Sequence, residues 1–266
     1  MALQSGPLCT RGSLTAEFRA LGVRPGETLL MHSSLRSLGW VCGAAPSVVG
    51  ALLDVLGPTG TLVVPTHTAD NSDPAGWSNP PVPADWWPQI RAETPAFDPR
   101  TTPSLGMGVI ADAVRTWPGA LRSAHPQTSF AAVGPGAPAI VADHALDCRL
   151  GERSPLARLE EAAARVLLLG PGFDRCTAFH LAEYRIPGPT EEVSFAVDTG
   201  EGRRWHSVRE TSIDSDCFAE LGAAFERAHP VVRGAVGAAD VRLFPLADAV
   251  AFAEGWLTEH RPYVPR

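Results

Sequence analysis

Three apolar runs punctuate the chain: Thr28-Leu29-Leu30-Met31-His32, Thr61-Leu62-Val63-Val64-Pro65-Thr66-His67-Thr68, and Arg165-Val166-Leu167-Leu168-Leu169 followed by Gly170-Pro171-Gly172. None alternates between apolar and polar positions, so each reads as a strand covered on both faces, and each ends in hydroxyls, a histidine or a turn. Between them the pattern becomes helical. Ser13 to Gly22 reads as a short helix with Ser13 as N-cap and Gly22 as its stop, and Pro46 to Gly57 as a second with Pro46 in its first turn. The stretch 97–115 reads as a loop feeding a helix, and Pro155 opens another. Helices are expected over about Asp216 to Ala228 and Leu246 to His260, separated by a Gly-rich bend. Val193 to Val197 and Arg204 to Glu210 alternate and flank the turn 198–202, which predicts an antiparallel hairpin. The alternation of buried strands and helices predicts an α/β domain with helices on both faces of a sheet. Residues 1–12 read as a flexible tail and 13–266 as a single domain with an embedded smaller lobe.

The 266 residues suffice for a full sheet and its covering helices. No apolar run approaches the length of a membrane span, and the first residues lack the charged and apolar regions of a signal peptide, so the expected location is the cytoplasm. The five cysteines are scattered and form no C-x-x-C pair, which argues for reduced thiols and against a structural metal site. A formal net charge of -7 disfavours nucleic acid and anionic membranes as partners and favours a cationic ligand. Ala69 to Pro99, rich in Pro, Trp and acid, is long for a connection and reads as a segment able to cap a cleft.

Chemistry concentrates after the third apolar run, in Asp174-Arg175-Cys176-Thr177-Ala178-Phe179-His180-Leu181-Ala182-Glu183-Tyr184-Arg185. If the stretch is helical, Cys176, His180 and Glu183 share one face, with His180 and Glu183 one turn apart. An imidazole beside a carboxylate near the end of a buried strand is a means of placing a general base. The loop Ser33 to Gly43, between a strand and a helix start, offers backbone N–H groups for a phosphate, although it carries neither a Walker A motif nor G-x-G-x-x-G.

The sequence resembles the aminoglycoside 3-N-acetyltransferase family from about residue 10 to residue 260. The resemblance is carried by Met31-His32-Ser33-Ser34-Leu35 with Leu38-Gly39, by Gly60 to Thr66, and by Thr102-Pro103-Ser104-Leu105-Gly106-Met107-Gly108. It continues through Arg122-Ser123 with His125-Pro126, Ser129 to Ala132, Gly151-Glu152 with Ser154-Pro155-Leu156, Asp174 with Cys176-Thr177, and His180-Leu181-Ala182-Glu183-Tyr184. The resemblance implies a three-layer α/β/α sandwich distinct from the GNAT acetyltransferases. It also implies transfer of acetyl from acetyl-CoA to an amine, in resistance enzymes the 3-amino group of a 2-deoxystreptamine aminoglycoside, with another amine of biosynthesis or detoxification as the alternative acceptor.

By the same resemblance, Ser33, Ser34, Leu35, Arg36, Ser37, Leu38 and Gly39, with Thr102, Ser104, Met107, Gly108 and His125, would hold CoA. His180 would be the base in a direct transfer without a metal, with Glu183 or Asp174 as its partner. Cys176 leaves an acyl-cysteine route conceivable. Asp70, Asp73, Glu210, Asp214 and Asp216 are the acids expected to face a cationic acceptor, and the chain is expected to be a monomer or homodimer.

Overall fold

The structure, a computed structural model, describes residues 6–263. In chain order its elements are β1 (Leu8–Cys9), α1 (Arg11–Leu21), β2 (Thr28–Ser33), β3 (Trp40–Val41), α2 (Ala44–Leu56), β4 (Thr61–Pro65) and α3 (Trp87–Glu93). They continue with α4 (Val109–Arg115), β5 (Leu121–Arg122), β6 (Phe130–Val133), α5 (Ala137–Val141), α6 (Pro155–Glu161), β7 (Arg165–Leu169) and α7 (Phe179–Arg185). The chain closes with β8 (Thr190–Asp198), β9 (Arg203–Thr211), α8 (Phe218–Ala228), β10 (Val232–Val236), β11 (Ala239–Pro245) and α9 (Leu246–His260).

Seven strands form one sheet in the order β10-β11-β7-β2-β4-β6-β5. The three apolar runs are its parallel centre: β2 pairs with β4 on one side and β7 on the other, and antiparallel strands extend both edges. Burial on both faces follows from the unbroken apolar pattern, because neighbouring residues point to opposite sides. Leu29, Met31, Leu62, Val64, Leu167 and Leu169 pack under α1, α2 and α4, whereas Leu30, Val63, Val166 and Leu168 pack under α5 to α9. The result is the expected three-layer α/β/α sandwich.

The smaller lobe is the β8–β9 hairpin with the segment 69–99 laid against it. Asn71 mimics a strand there, its Nδ2 donating to the Ala196 carbonyl at 2.9 Å and its Oδ1 accepting from the Ala196 N–H at 2.8 Å. Arg203 Nε reaches the Thr94 carbonyl at 2.6 Å from the far end of the hairpin.

Four expectations need correction. Residues 8–12 are not a loose tail: Leu8 and Cys9 pair in parallel with Trp40 and Val41, Cys9 is buried, and Thr10 rather than Ser13 caps the first helix. Thr10 Oγ1 accepts from the Ser13 N–H at 3.1 Å while Ser13 Oγ accepts from the Thr10 N–H at 3.0 Å, a reciprocal cap that moves the boundary upstream. Residues 1–5 of the expected tail lie outside the described residues. The Gly-rich bend between the last helices is the β10–β11 hairpin, whose strands complete the sheet; Gly237 sits in its turn at φ +56°, where a Cβ would meet the Leu38 carbonyl at 2.5 Å. The helix after Gly172 is broken, a 3-10 turn at Phe173–Arg175 preceding α7, so Cys176 is not on the helical face of His180 and Glu183.

Candidate active site

At the C-terminal ends of the parallel strands lies a cavity of about 580 Å³. Its walls come from the ends of β2 (Met31 to Ser34) and β4 (Pro65, His67), from Gly106-Met107 and Ala111, from Gly170-Pro171, from Asp174 to Thr177 with His180, and from Ser215 and Phe218. This is where ligands bind in an open sheet whose strand connections diverge.

His180 enters from the first turn of α7. Its Nδ1 lies 2.6 Å from Glu183 Oε2, one turn further on, and its ring rests 4.7 Å from Phe218. Glu183 is buried, and its other oxygen accepts from the Asp214 N–H at 3.0 Å and from Arg261 at 2.8 Å. Glu183 is thus the partner of His180. Asp174 borders the same cavity but is exposed and paired with Arg175 at 3.1 Å.

The short helix is held by parts that the sequence motifs supply. Arg185 at its end binds Glu160 on α6 at 2.5 Å and Glu254 on α9 at 3.1 Å, and also Glu152 at 2.6 Å. Ser154 caps α6 by accepting from the Leu156 N–H, and Gly151 lets Tyr184 pack so close that a Cβ would lie 2.3 Å from its ring. The Gly151 to Leu156 motif therefore braces α7 from behind.

Two further histidines, which the pattern placed at strand ends without assigning them a role, border the cavity. His32 at the end of β2 and His67 beyond β4 each bury an Nε2 that has no hydrogen-bond partner in the structure. Burial, with the neighbouring His180 pushing the same way, lowers the His32 pKa to about 4 and that of His67 to about 3, so both stay neutral near pH 7. Their signal was a histidine ending each of two adjacent apolar runs. Among the described residues no cluster of three or more His, Cys, Asp or Glu side chains has the form of a metal site.

Of the residues expected to hold CoA, Ser33, Ser34 and Met107 border the cavity. Ser37 Oγ donates to the Ser34 carbonyl at 2.7 Å and shapes the loop from within, and Leu35 packs against the core. Leu38 is corrected to a core residue, fully buried, while Gly39 turns at φ +86° against Pro7. Arg36 is exposed and does not line the cavity. Thr102 and Ser104 are engaged internally: Thr102 Oγ1 accepts from the Asp98 N–H at 3.0 Å, and Ser104 Oγ donates to Asp112 at 2.8 Å. Gly108 caps α4.

His125 is corrected as well. It is wholly buried against His144 and Phe195, its Nδ1 accepting from the Gln127 and Thr128 N–H groups, and burial holds its pKa well below the ordinary value. Its motif neighbour Arg122 is half-buried and internally bonded. The guanidinium joins Thr66 and Ser129 hydroxyls at 3.1 and 3.0 Å, the Thr66 and Thr102 carbonyls, and the face of Phe97, tying the loop before Gly106 to the ends of β4 and β6.

A second cavity, about 400 Å³, meets the first at His67 and runs between the segment 69–77 and the start of β8. Asp73, Glu191 and Glu192 line it, as does Arg149, which pairs with Glu191 at 2.6 Å. Among the five acids expected at the acceptor, Asp73 is the one that borders this cavity, and it pairs with Arg91 at 2.7 Å. Asp70, Asp214 and Asp216 are exposed, with Asp214 spending its carboxylate on the Asp216 N–H at 2.8 Å. Glu210 is corrected: it is buried and fully used by Arg149, whose Nε and backbone N–H each approach at 2.6 Å, and by the Tyr184 hydroxyl at 2.9 Å. Burial nonetheless raises its pKa. Glu191 and Glu192 were missed because nothing in the sequence of a hairpin strand tells which neighbouring segment its acids face.

The architecture is thus a three-layer sandwich with a carboxylate-anchored imidazole on a cavity at its parallel strand ends and a second cavity that shares His67 with the first. The family model of aminoglycoside 3-N-acetyltransferases matches residues 30–258. The chain is 45% identical to the SPbeta prophage-derived aminoglycoside N(3')-acetyltransferase-like protein YokD of Bacillus subtilis (strain 168), over 93% of this chain and 92% of that one. It is 38% identical to aminoglycoside N(3)-acetyltransferase VII of Streptomyces paromomycinus, over 96% and 93%. The crystal structure of YokD superposes with a TM-score of 0.95 at 42% identity over 98% of this chain and 97% of that one. A binary structure of AAC-IIIb with CoASH superposes at 0.84 and 33% identity over 98% and 100%, and AAC-VIa bound to sisomicin at 0.84 and 32% over 95% and 98%. The chain belongs to the aminoglycoside 3-N-acetyltransferase family.

Proposed function

We propose that this protein transfers the acetyl group of acetyl-CoA directly to the 3-amino group of a 2-deoxystreptamine aminoglycoside, with His180 as general base, and so confers resistance. The observation that carries the reading is the His180–Glu183 pair on the wall of one cavity, with His67 shared between that cavity and a second one bordered by Asp73, Glu191 and Glu192. The relative with CoASH and the relative with sisomicin support the two ligand classes.

An aliphatic amine is mostly protonated near neutral pH, and only its neutral form attacks a thioester. Glu183, accepting from Nδ1–H, fixes the tautomer in which Nε2 of His180 carries the lone pair. As the amine nitrogen bonds to the acetyl carbon, its proton passes to Nε2. The C–S bond then breaks, and the CoA thiolate takes the proton back. Backbone N–H groups and neutral imidazoles at the strand ends suit a tetrahedral oxyanion. The acetyl thioester would lie along Ser33, Ser34 and Met107, and the cationic acceptor against Asp73, Glu191 and Glu192.

The test is release of CoA thiol with a panel of aminoglycosides by the protein and by His180→Ala. Loss on the order of 10²- to 10⁴-fold, with acetyl-CoA binding retained, is the expected result. Undiminished turnover in the variant would remove His180 as the base; acetyl-CoA binding without turnover of any aminoglycoside would point to another amine.

A further inference from the structure

Both oxygens of Glu183 are engaged, and the second is held by the far end of the chain. Its side chain is 3% exposed, with Oε2 facing His180 and Oε1 accepting from the Asp214 N–H at 3.0 Å and from the Arg261 guanidinium at 2.8 Å. Arg261 directly follows α9, and the same nitrogen also donates to the Asp214 carbonyl at 3.0 Å and lies 3.8 Å from Cys217 Sγ. The guanidinium thus joins the end of α9, the loop before α8 and the helix of the base at one carboxylate.

We propose that Arg261 is a positioning residue for the transfer step, fixing the Glu183 carboxylate behind His180 and, through it, the direction of the imidazole. The inference rests on His180 being the base. Oε1 and Oε2 belong to one rigid carboxylate, so the charged donor on the first sets the direction of the second. Without the guanidinium the carboxylate keeps only the Asp214 N–H on that side and is freer to turn, and the Nδ1 contact that orients the imidazole turns with it.

The other groups facing His180 do not replace this charge. His32 and His67, on the sheet side, are held neutral by burial. Arg175, in the turn before α7, is paired with Asp174 at 3.1 Å. Cys217, before α8, lies behind Arg261 rather than beside the imidazole.

The test is kcat and KM for thiol release, with one acceptor, for the protein, Arg261→Met, Arg261→Lys and His180→Ala. Arg261→Met is expected to lose about tenfold in kcat with KM for acetyl-CoA unchanged, and Arg261→Lys, which keeps a charged donor there, to recover most of that loss. A methionine kcat equal to the parent's, or a loss that the lysine variant shares in full, while His180→Ala is inactive, overturns the role of Arg261 and leaves the base in place. Full turnover by His180→Ala overturns both. If Arg261→Met does not fold, Arg261→Gln decides in its place: a kcat lowered several-fold at unchanged KM for acetyl-CoA upholds the proposal, and a kcat equal to the parent's, or a change in KM alone, sinks it.

Discussion

His180 Nδ1 lies 2.6 Å from Glu183 Oε2, within a helix of seven residues that could not persist alone. The contact is local, three residues apart, yet its orientation depends on remote partners. Arg185 fastens the helix end to α6 and α9, Phe218 backs the imidazole, and Arg261 and the Asp214 N–H hold the carboxylate. The dyad was legible because a one-turn spacing fixes which side chains meet. Its choice of Glu183 over Asp174 was not legible, since Asp174 sits in a separate turn whose direction is set by packing.

Cys176 is expected to be dispensable. It is fully buried, off the helical face of His180, and burial pushes its thiol up to about 12, so no thiolate is available near neutral pH. Cys176→Ala should retain kcat within about threefold, the loss coming from packing rather than chemistry. A burst of acetyl-enzyme that disappears in the alanine variant would contradict this.

Gly170→Ala tests how closely the end of β7 meets the loop of Ser33 and Ser34. The residue has φ +93°, and a Cβ would lie 1.9 Å from Ser37 Oγ and 3.5 Å from Ser34 Cβ. The loop must move, at a cost of about 1–3 kcal/mol for the strained backbone and overlap together. A lower midpoint of urea unfolding and a raised KM for acetyl-CoA are expected, with a smaller change in KM for the acceptor.

The acids should separate into two kinds. Glu210→Ala leaves the Arg149 Nε and backbone N–H and the Tyr184 hydroxyl without their acceptor, while Glu191 stays on the guanidinium at 2.6 Å, and a loss of about 1–3 kcal/mol in unfolding free energy is expected. Glu192→Gln, on the wall of the second cavity, should scarcely change stability but should raise KM for a polycationic acceptor several-fold, more at low salt than at high. Equal effects of Glu192→Gln on acetyl-CoA and acceptor KM would count against the acceptor lying there.

Acid should unfold the protein through its buried histidines. Burial lowers the pKa of His32 and His144 to about 4, of His67 to about 3, and of His125 well below its ordinary value. Their unfolded-state values lie near 6.5, so between about pH 6.5 and 4 the unfolded chain binds protons that the native one does not, and stability falls as pH falls. The slope of unfolding free energy against pH in that window should correspond to several protons taken up. His125→Asn or His67→Asn should reduce that slope by about one proton each, provided the variants fold.

Sequence alone determined the sheet's parallel centre, the hairpin of the small lobe, the last helix and the His180–Glu183 pair. These rest on unbroken apolar runs, alternation, and a one-turn spacing, all of which are properties of neighbours along the chain. The resemblance added the family and a motif order that spans most of the domain. Tertiary structure decided which motif residues reach the cavity. Ser33, Ser34 and Met107 do, whereas Leu38 and His125 are buried in the frame, Arg122 braces it from a half-buried position, and Glu210 is consumed by Arg149. It also brought His67, Glu192 and Arg261 to the site from positions far apart in the chain. The physical reason is that burial and pairing belong to whichever segments pack against one another. The same histidine or glutamate can be an internal brace or a working group, and only the neighbours supplied by folding make the difference.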